Sequence, residues 1–233
     1  MIRVITFDLD NTLWDVEPAL LRAEEAQRQW LLQHRPGAIE NISHDDLWAL
    51  KKRLWKSHPE LAHSVTAMRH LLLRELQLAA GYAPDEAEQG ARAAFDQFLA
   101  ERQRVELYAD ALQVLEQLAG DYRLGALTNG NADVYKTDAG EYFDFAFLAE
   151  DIGASKPAPD MFHAALKETG AAPHEVLHVG DNPEHDVKGA LAVGMLAAWI
   201  NADGVPWEGE PAPQVTVRHV RELPQALSEL PSS

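Results

Sequence analysis

Five short, largely apolar runs constrain the fold most: Arg3 to Phe7, Arg123 to Leu127, Phe145 to Leu148, Val176 to Val179 and Leu196 to Ile200. Each has the length and composition of a strand buried on both faces, as in a parallel sheet. Between them lie segments of helical period. Ala109 to Gly120 carries Leu112, Leu115 and Leu118, and Ala158 to Thr169 carries Met161, Phe162, Ala165 and Leu166. Strands alternating with helices predict an α/β core. The tail adds "VTVRHV" and "LPQALSEL", read as a last edge strand and a docking helix.

No strand signal interrupts the stretch from Asp15 to about Leu107. It is rich in Leu, Ala, Glu, Gln and Arg and is punctuated at "HRPGAIENIS", "SHPELAHS" and "AAGYAPDE". Four helices are predicted here, with Asn41 or Ser43 and Asp85 as starts and Gly37 and Gly81 as stops. The boundaries predicted are therefore residues 1–14 with 108–233 for the core and 15–107 for an inserted helical cap. An insert placed where the first strand's C-terminal end opens a site is positioned as a substrate lid.

Charge narrows the partners. The chain holds 37 acids against 20 Lys and Arg, a formal net charge of -17, which excludes the basic footprint that nucleic acids or anionic membranes require. No run of eighteen apolar residues is present to span a bilayer, and "MIRVITFDLD" has no signal-peptide character. There is no cysteine, so thiolate chemistry is excluded. A cytoplasmic protein acting on a small anionic molecule is the expectation.

Polar residues recur just after the predicted strands: Asp8 and Asp10; Thr128, Asn129 and Gly130; Lys156 before Pro157; and Gly180, Asp181, Asn182 and Asp186. In an open parallel sheet these carboxyl ends share one crevice. Asp8, directly ending its strand, is suited to attack phosphorus as a nucleophile. Asp10 is suited to protonate a leaving oxygen and then activate water. Thr128, Asn129 and Lys156 supply the donors and positive charge that a transferring phosphoryl group needs. Mg²⁺, held by Asp8, Asp181 and the backbone carbonyl of Asp10, would offset the crowded carboxylates.

These segments, "FDLDNT", "LTNG", "SKP" and "GDNPEHD", resemble the four ordered motifs of the haloacid dehalogenase-like hydrolases across nearly the whole chain. The resemblance implies a doubly wound, Rossmann-like core with an all-helical cap. It implies Asp8 as nucleophile, Asp10 as general acid and base, Thr128 as phosphate binder, Lys156 as charge clamp and Asp181 as magnesium ligand, with Asp186 and Asn182 in supporting positions. True dehalogenases of the family lack the second aspartate of the first motif, so Asp10 favours phosphate ester hydrolysis over carbon-halogen cleavage. The run from "LTNGNADV" through "LHVGDNPEHDVKGALAVGMLAAWI" is similar to bacterial phosphatases acting on flavin mononucleotide and on the phosphorylated ribitylamino-uracil precursor of riboflavin. Sugar phosphates, phosphoglycolate and nucleotides are the alternative esters. A non-catalytic phosphate-binding module is a further alternative, and intact Asp8, Asp10 and Lys156 speak against it.

Trp14, at the exit from the catalytic loop, is read as a residue that stacks on substrate, and Arg69 as a substrate contact from the cap. Trp30, Trp48 and Trp55 are read as packing residues. His178 is read as a satisfied core histidine and His185 as solvent-facing.

Overall fold

The computed structural model describes residues 1–40 and 42–230. The chain divides into two compact units, Met1–Val16 with Glu106–Ser233, and Glu17–Val105.

The first unit is built on a parallel sheet of six strands, β1 (Val4–Phe7), β2 (Arg123–Thr128), β3 (Phe145–Leu148), β4 (Val176–Gly180), β5 (Leu196–Ile200) and β6 (Val215–Val217), in the order β3-β2-β1-β4-β5-β6. This is the order of a doubly wound fold, whose ligand crevice opens where the order reverses, beyond β1 and β4. Every residue of β1 and β4 is buried, as a sheet covered on both faces requires. Phe7 pairs with both Ala126 and Val179, and the Asp8 N–H still donates to Val179 O at 2.8 Å. Asp8 is thereby fixed by the ladder at the point where the strand ends.

The second unit contains α1 (Val16–His34, its first residue in the core unit), α2 (His44–Ser57), α3 (Val65–Ala79) and α4 (Pro84–Arg102). Its interior is formed by Ala23, Leu31, Leu73, Ala91, Ala94, Phe95 and Phe98, with a second cluster around Leu54, Met68, Leu72 and Leu76. Ser43 caps α2 by accepting from the Asp46 N–H, whereas Asn41 lies outside the described residues. Asp85 is not the start of α4. The helix begins one residue earlier, because Pro84 takes the first position and Glu86 reaches back to accept from the Ala83 N–H. Gly37 does not stop α1 either, which ends at His34, and Gly37 sits inside a 3₁₀ turn over Pro36–Ala38. Gly81 follows α3 with φ of 89°, as a glycine past a helix end does.

The packing expected of the tryptophans holds only in part. Trp30 is half-buried and stacks on His34 at 4.6 Å, but Trp48 and Trp55 are 63% and 50% exposed. Helix α2 carries two apolar stripes, and the one holding Leu47, Leu50 and Leu54 meets the interior. The tryptophans lie on the other.

Back in the first unit, α5 (Ala111–Ala119), α6 (Ala149–Ile152), α7 (Asp160–Thr169), α8 (Gly189–Ala192) and α9 (Leu223–Ser228) complete the alternation. A π turn over Pro183–Lys188 leads into α8 and carries Asp186. Among the described residues no helix is long and apolar enough to cross a membrane.

Candidate active site

The loop after β1 turns back on itself. Thr12 N and Leu13 N both donate to Leu9 O, Asn11 N donates to Trp14 O, and Asn11 takes the left-handed φ of 61° that asparagine tolerates better than most residues. The turn brings the Trp14 indole N–H to Asp10 Oδ1 at 2.7 Å and Thr12 Oγ1 to Asp8 Oδ2 at 3.5 Å. Trp14 itself is wholly buried. The structure thus puts the ring to a use the sequence did not suggest, donating a hydrogen bond to the Asp10 carboxylate.

Lys156 is the centre of the site. Its ammonium donates to Asp8 Oδ1 at 2.8 Å and to Leu127 O at 2.6 Å, and it lies 2.7 Å from Asp186 Oδ1. Burial works to lower the lysine, but Asp186 and Asp8 more than offset it, so the ammonium is held. Asn129 explains how the lysine is aimed. Its amide donates to Lys156 O at 2.9 Å and accepts from Lys156 N at 2.8 Å, so the side chain expected on phosphate is engaged with the lysine backbone. Thr128 Oγ1 accepts from the Gly130 N–H at 2.9 Å, which leaves its own O–H as a donor.

The loop after β4 brings the remaining acids. Asp186 Oδ2 accepts from the Asn182 N–H at 3.0 Å, while Asn182 Oδ1 accepts from the Glu184 and His185 N–H groups and shapes the turn. Gly180 is required by contact: a Cβ there would lie 2.3 Å from Asp186 Cγ. Asp181 is fixed through its carbonyl, which accepts from Trp199 Nε1 at 2.8 Å.

Carboxylate oxygens of Asp8, Asp181 and Asp186 all lie within 4.8 Å of one another. Asp8 is thus crowded by the acids beyond β4. Burial raises the Asp8 carboxyl, against the pull of Lys156. Burial, and then Asp186 beside it, push Asp181 up to about 6. Burial also acts to raise Asp186, yet Lys156 and the His178 bond hold it well below the usual carboxylate range. Such a cluster fits a hard divalent cation, because oxygen donors held together at a cost in repulsion gain from a positive centre. Asp186 spends its carboxylate on Lys156, His178 and Asn182, which leaves Asp8 and Asp181 as the fitting side-chain donors.

The comparisons with known proteins point to one family. A model of the haloacid dehalogenase-like hydrolases matches residues 2–194. The chain belongs to that family. Among curated relatives of this hydrolase, the 5-amino-6-(5-phospho-D-ribitylamino)uracil phosphatase of Escherichia coli (strain K12) is 34% identical over 95% of this chain and 94% of that protein. The phosphoserine phosphatase of Thermus thermophilus is 35% identical over 79% of this chain and 75% of its own length. Among solved structures, one described as a 2-haloacid dehalogenase from Pseudomonas syringae pv. Tomato DC3000 superposes with a TM-score of 0.93 at 38% identity, covering 98% of this chain and 99% of that one.

Arg69 has partners in the helical unit. Its guanidinium lies 3.7 Å over the Phe98 ring and its Nη2 lies 3.5 Å from Glu24 Oε1. His185 is exposed, as expected. Sequence reasoning missed the parts played by Trp14 toward Asp10 and by Asn129 toward Lys156. No local pattern encodes either, since each depends on how a loop turns.

Proposed function

We propose that this chain, a phosphoric monoester hydrolase by its family and relatives, releases phosphate from a small-molecule ester through a phosphoaspartyl intermediate on Asp8. The observation that carries the reading is Lys156, buried between Asp8 and Asp186 at the carboxyl edge of the sheet. An Asp8 oxygen attacks phosphorus while the bond from phosphorus to the ester oxygen breaks, and Asp10 gives its proton to the departing alcohol. Asp10 then takes a proton from water, whose oxygen attacks the same phosphorus. The Asp8–phosphorus bond breaks, inorganic phosphate leaves, and both aspartates return to their starting state. Lys156 and the Thr128 hydroxyl stabilise the charge spread over the phosphoryl oxygens. Mg²⁺ bound by Asp8, Asp181 and the Asp10 backbone carbonyl would supply the positive charge that lets an anionic ester approach a carboxylate.

The substrate class proposed is flavin mononucleotide or the phosphorylated ribitylamino-uracil precursor of riboflavin, and the Escherichia coli relative, aligned over nearly all of both chains, supports the second. The helical unit is proposed as the lid that selects among esters. Its support is its point of insertion, since the chain enters α1 directly from the loop that bears Asp8 and Asp10. Arg69 belongs to this proposal as a substrate contact, and Trp14 as the residue that orients Asp10.

A dehalogenase reading is favoured by the Pseudomonas syringae structure. Halide departs without a proton, so the general acid that Trp14 holds in place would have no task. The test is phosphate release from flavin mononucleotide, ribitylamino-uracil phosphate, sugar phosphates, phosphoglycolate and nucleotides with Mg²⁺ or EDTA, beside halide release from 2-chloropropionate. Metal-dependent phosphate release with preference for the flavin-type esters is expected. Chloride release without phosphate release would overturn the reading.

A further inference from the structure

One buried titratable group has no part in the chemistry above. His178 lies in the middle of β4, buried, with its ring on the neighbours of two strands. Nδ1 is 2.9 Å from Thr6 Oγ1 on the adjacent β1, where the two residues are paired in register. Nε2 is 3.3 Å from Asp186 Oδ1. The Phe162 ring stands edge-on against the imidazole at 5.2 Å and 86°, which fixes its plane.

These partners decide the tautomer. An ionised carboxylate only accepts, whereas a hydroxyl can give or accept. The ring proton therefore belongs on Nε2, donated to Asp186, and the Thr6 hydroxyl donates to Nδ1. Burial, with the charge of Lys156 nearby, keeps the ring neutral.

The accepting oxygen is the same Asp186 Oδ1 that Lys156 approaches at 2.7 Å, and Lys156 is shared with Asp8 at 2.8 Å. A continuous chain of contacts thus runs Thr6, His178, Asp186, Lys156, Asp8. Two carboxylates compete for one ammonium, and the donors already on Asp186 decide how much of that ammonium is left for Asp8. We propose that His178 is a positioning residue for the hydrolysis: its Nε2–H meets part of Asp186's demand and so keeps Lys156 on Asp8. This rests on the reading of Asp8 and Lys156 given above. An apolar side chain of similar size would fill the same space beside Phe162 but would leave Asp186 to draw the lysine away from the nucleophile.

The experiment compares His178→Leu with His178→Gln in the whole chain with Mg²⁺, using a chromogenic aryl phosphate, alone and in an Asp186→Asn background. In His178→Leu, kcat is expected to fall roughly 10- to 100-fold, the usual scale for outer partners that orient a site, with KM within about twofold. Glutamine can donate to Oδ1 and accept from Thr6, so His178→Gln is expected to recover most of the loss. In the Asp186→Asn background, His178→Leu is expected to cost little more. Equal loss in both variants, or costs that multiply independently, would show a packing role and overturn the proposal. Should His178→Leu fail to fold, nitrogen NMR of the wild-type ring decides instead, because a proton on Nδ1 rather than Nε2 refutes the arrangement. That spectrum needs no turnover. A wild-type chain inactive on every phosphate ester would sink the phosphatase reading, while the spectrum still decides on His178.

Discussion

In the α/β unit Lys156 keeps 1% of its side chain exposed between Asp8 and Asp186, at 12% and 3%, whereas in the helical unit Arg92 and Glu88 pair at 2.9 Å with 71% and 35% exposed. In the helical unit Arg28 with Glu25 and Arg104 with Glu101 likewise leave the arginine largely in solvent. Exposed pairs contribute little, because water and salt screen them. Buried ions cost several kcal/mol each, of order, to take from water, and repay it only with well-made partners. A fold selected for stability alone would fill such a space with apolar side chains. The α/β unit instead keeps a lysine and three acids at the point where its strand order reverses, which is the mark of a chemical duty.

The largest expected effect breaks that buried set at its reactive member. Asp8→Asn keeps the shape and removes the nucleophile, so turnover of any accepted ester is expected to fall by at least about 10⁴-fold. Circular dichroism serves as the control for folding. Turnover near the wild-type rate would refute Asp8 as the attacking group.

Next in size is Lys156→Met, which removes the cation and leaves Asp8 and Asp186 facing one another. Breaking a buried pair in this way costs about 3–5 kcal/mol, read as a lower midpoint in urea in metal-free buffer. A loss under about 1 kcal/mol, the range of surface pairs, would erase the contrast between the two units.

The contrast also explains what could be read from the sequence. Strand-end residues are tied to the ladder, so once Val4–Phe7 and Val176–Gly180 are recognised as parallel neighbours, Asp8 and Asp181 must emerge side by side. The four helices of the second unit were equally legible, because helical period and the turn segments between them are local. The fine structure was not. The loop with Asn11 at φ of 61° brings Trp14 to Asp10, and Asn129 closes on a lysine 27 residues away. Neither follows from periodicity. Trp48 and Trp55 failed for a related reason: spacing shows that α2 has stripes, but only tertiary packing chooses which stripe is buried.

A smaller effect is expected from Trp14→Phe. Phenylalanine keeps most of the buried ring and removes the N–H that Asp10 Oδ1 accepts. A hydrogen bond to a charged acceptor is worth about 1.5–3 kcal/mol. If half of that orients Asp10 for proton transfer, kcat falls roughly 4- to 13-fold. The loss is expected to be larger for esters of poor leaving groups, which need the proton, than for aryl phosphates, which depart without it. Equal losses on both would place Trp14 outside the acid's work.

The smallest effect is the one that most sharpens the comparison. Arg92→Ala removes a well-formed ion pair with Glu88 one turn away on α4, but Glu88 also lies 3.5 Å from Arg74, so its charge keeps a partner. With 71% of the Arg92 side chain in solvent, the pair's Coulomb gain is screened and its side-chain entropy is returned on substitution. The expected change in unfolding free energy is within about 0.5 kcal/mol, and turnover should not move. A loss comparable to that of Lys156→Met would mean that charge in the helical unit is structural after all, and that burial alone does not separate the two units.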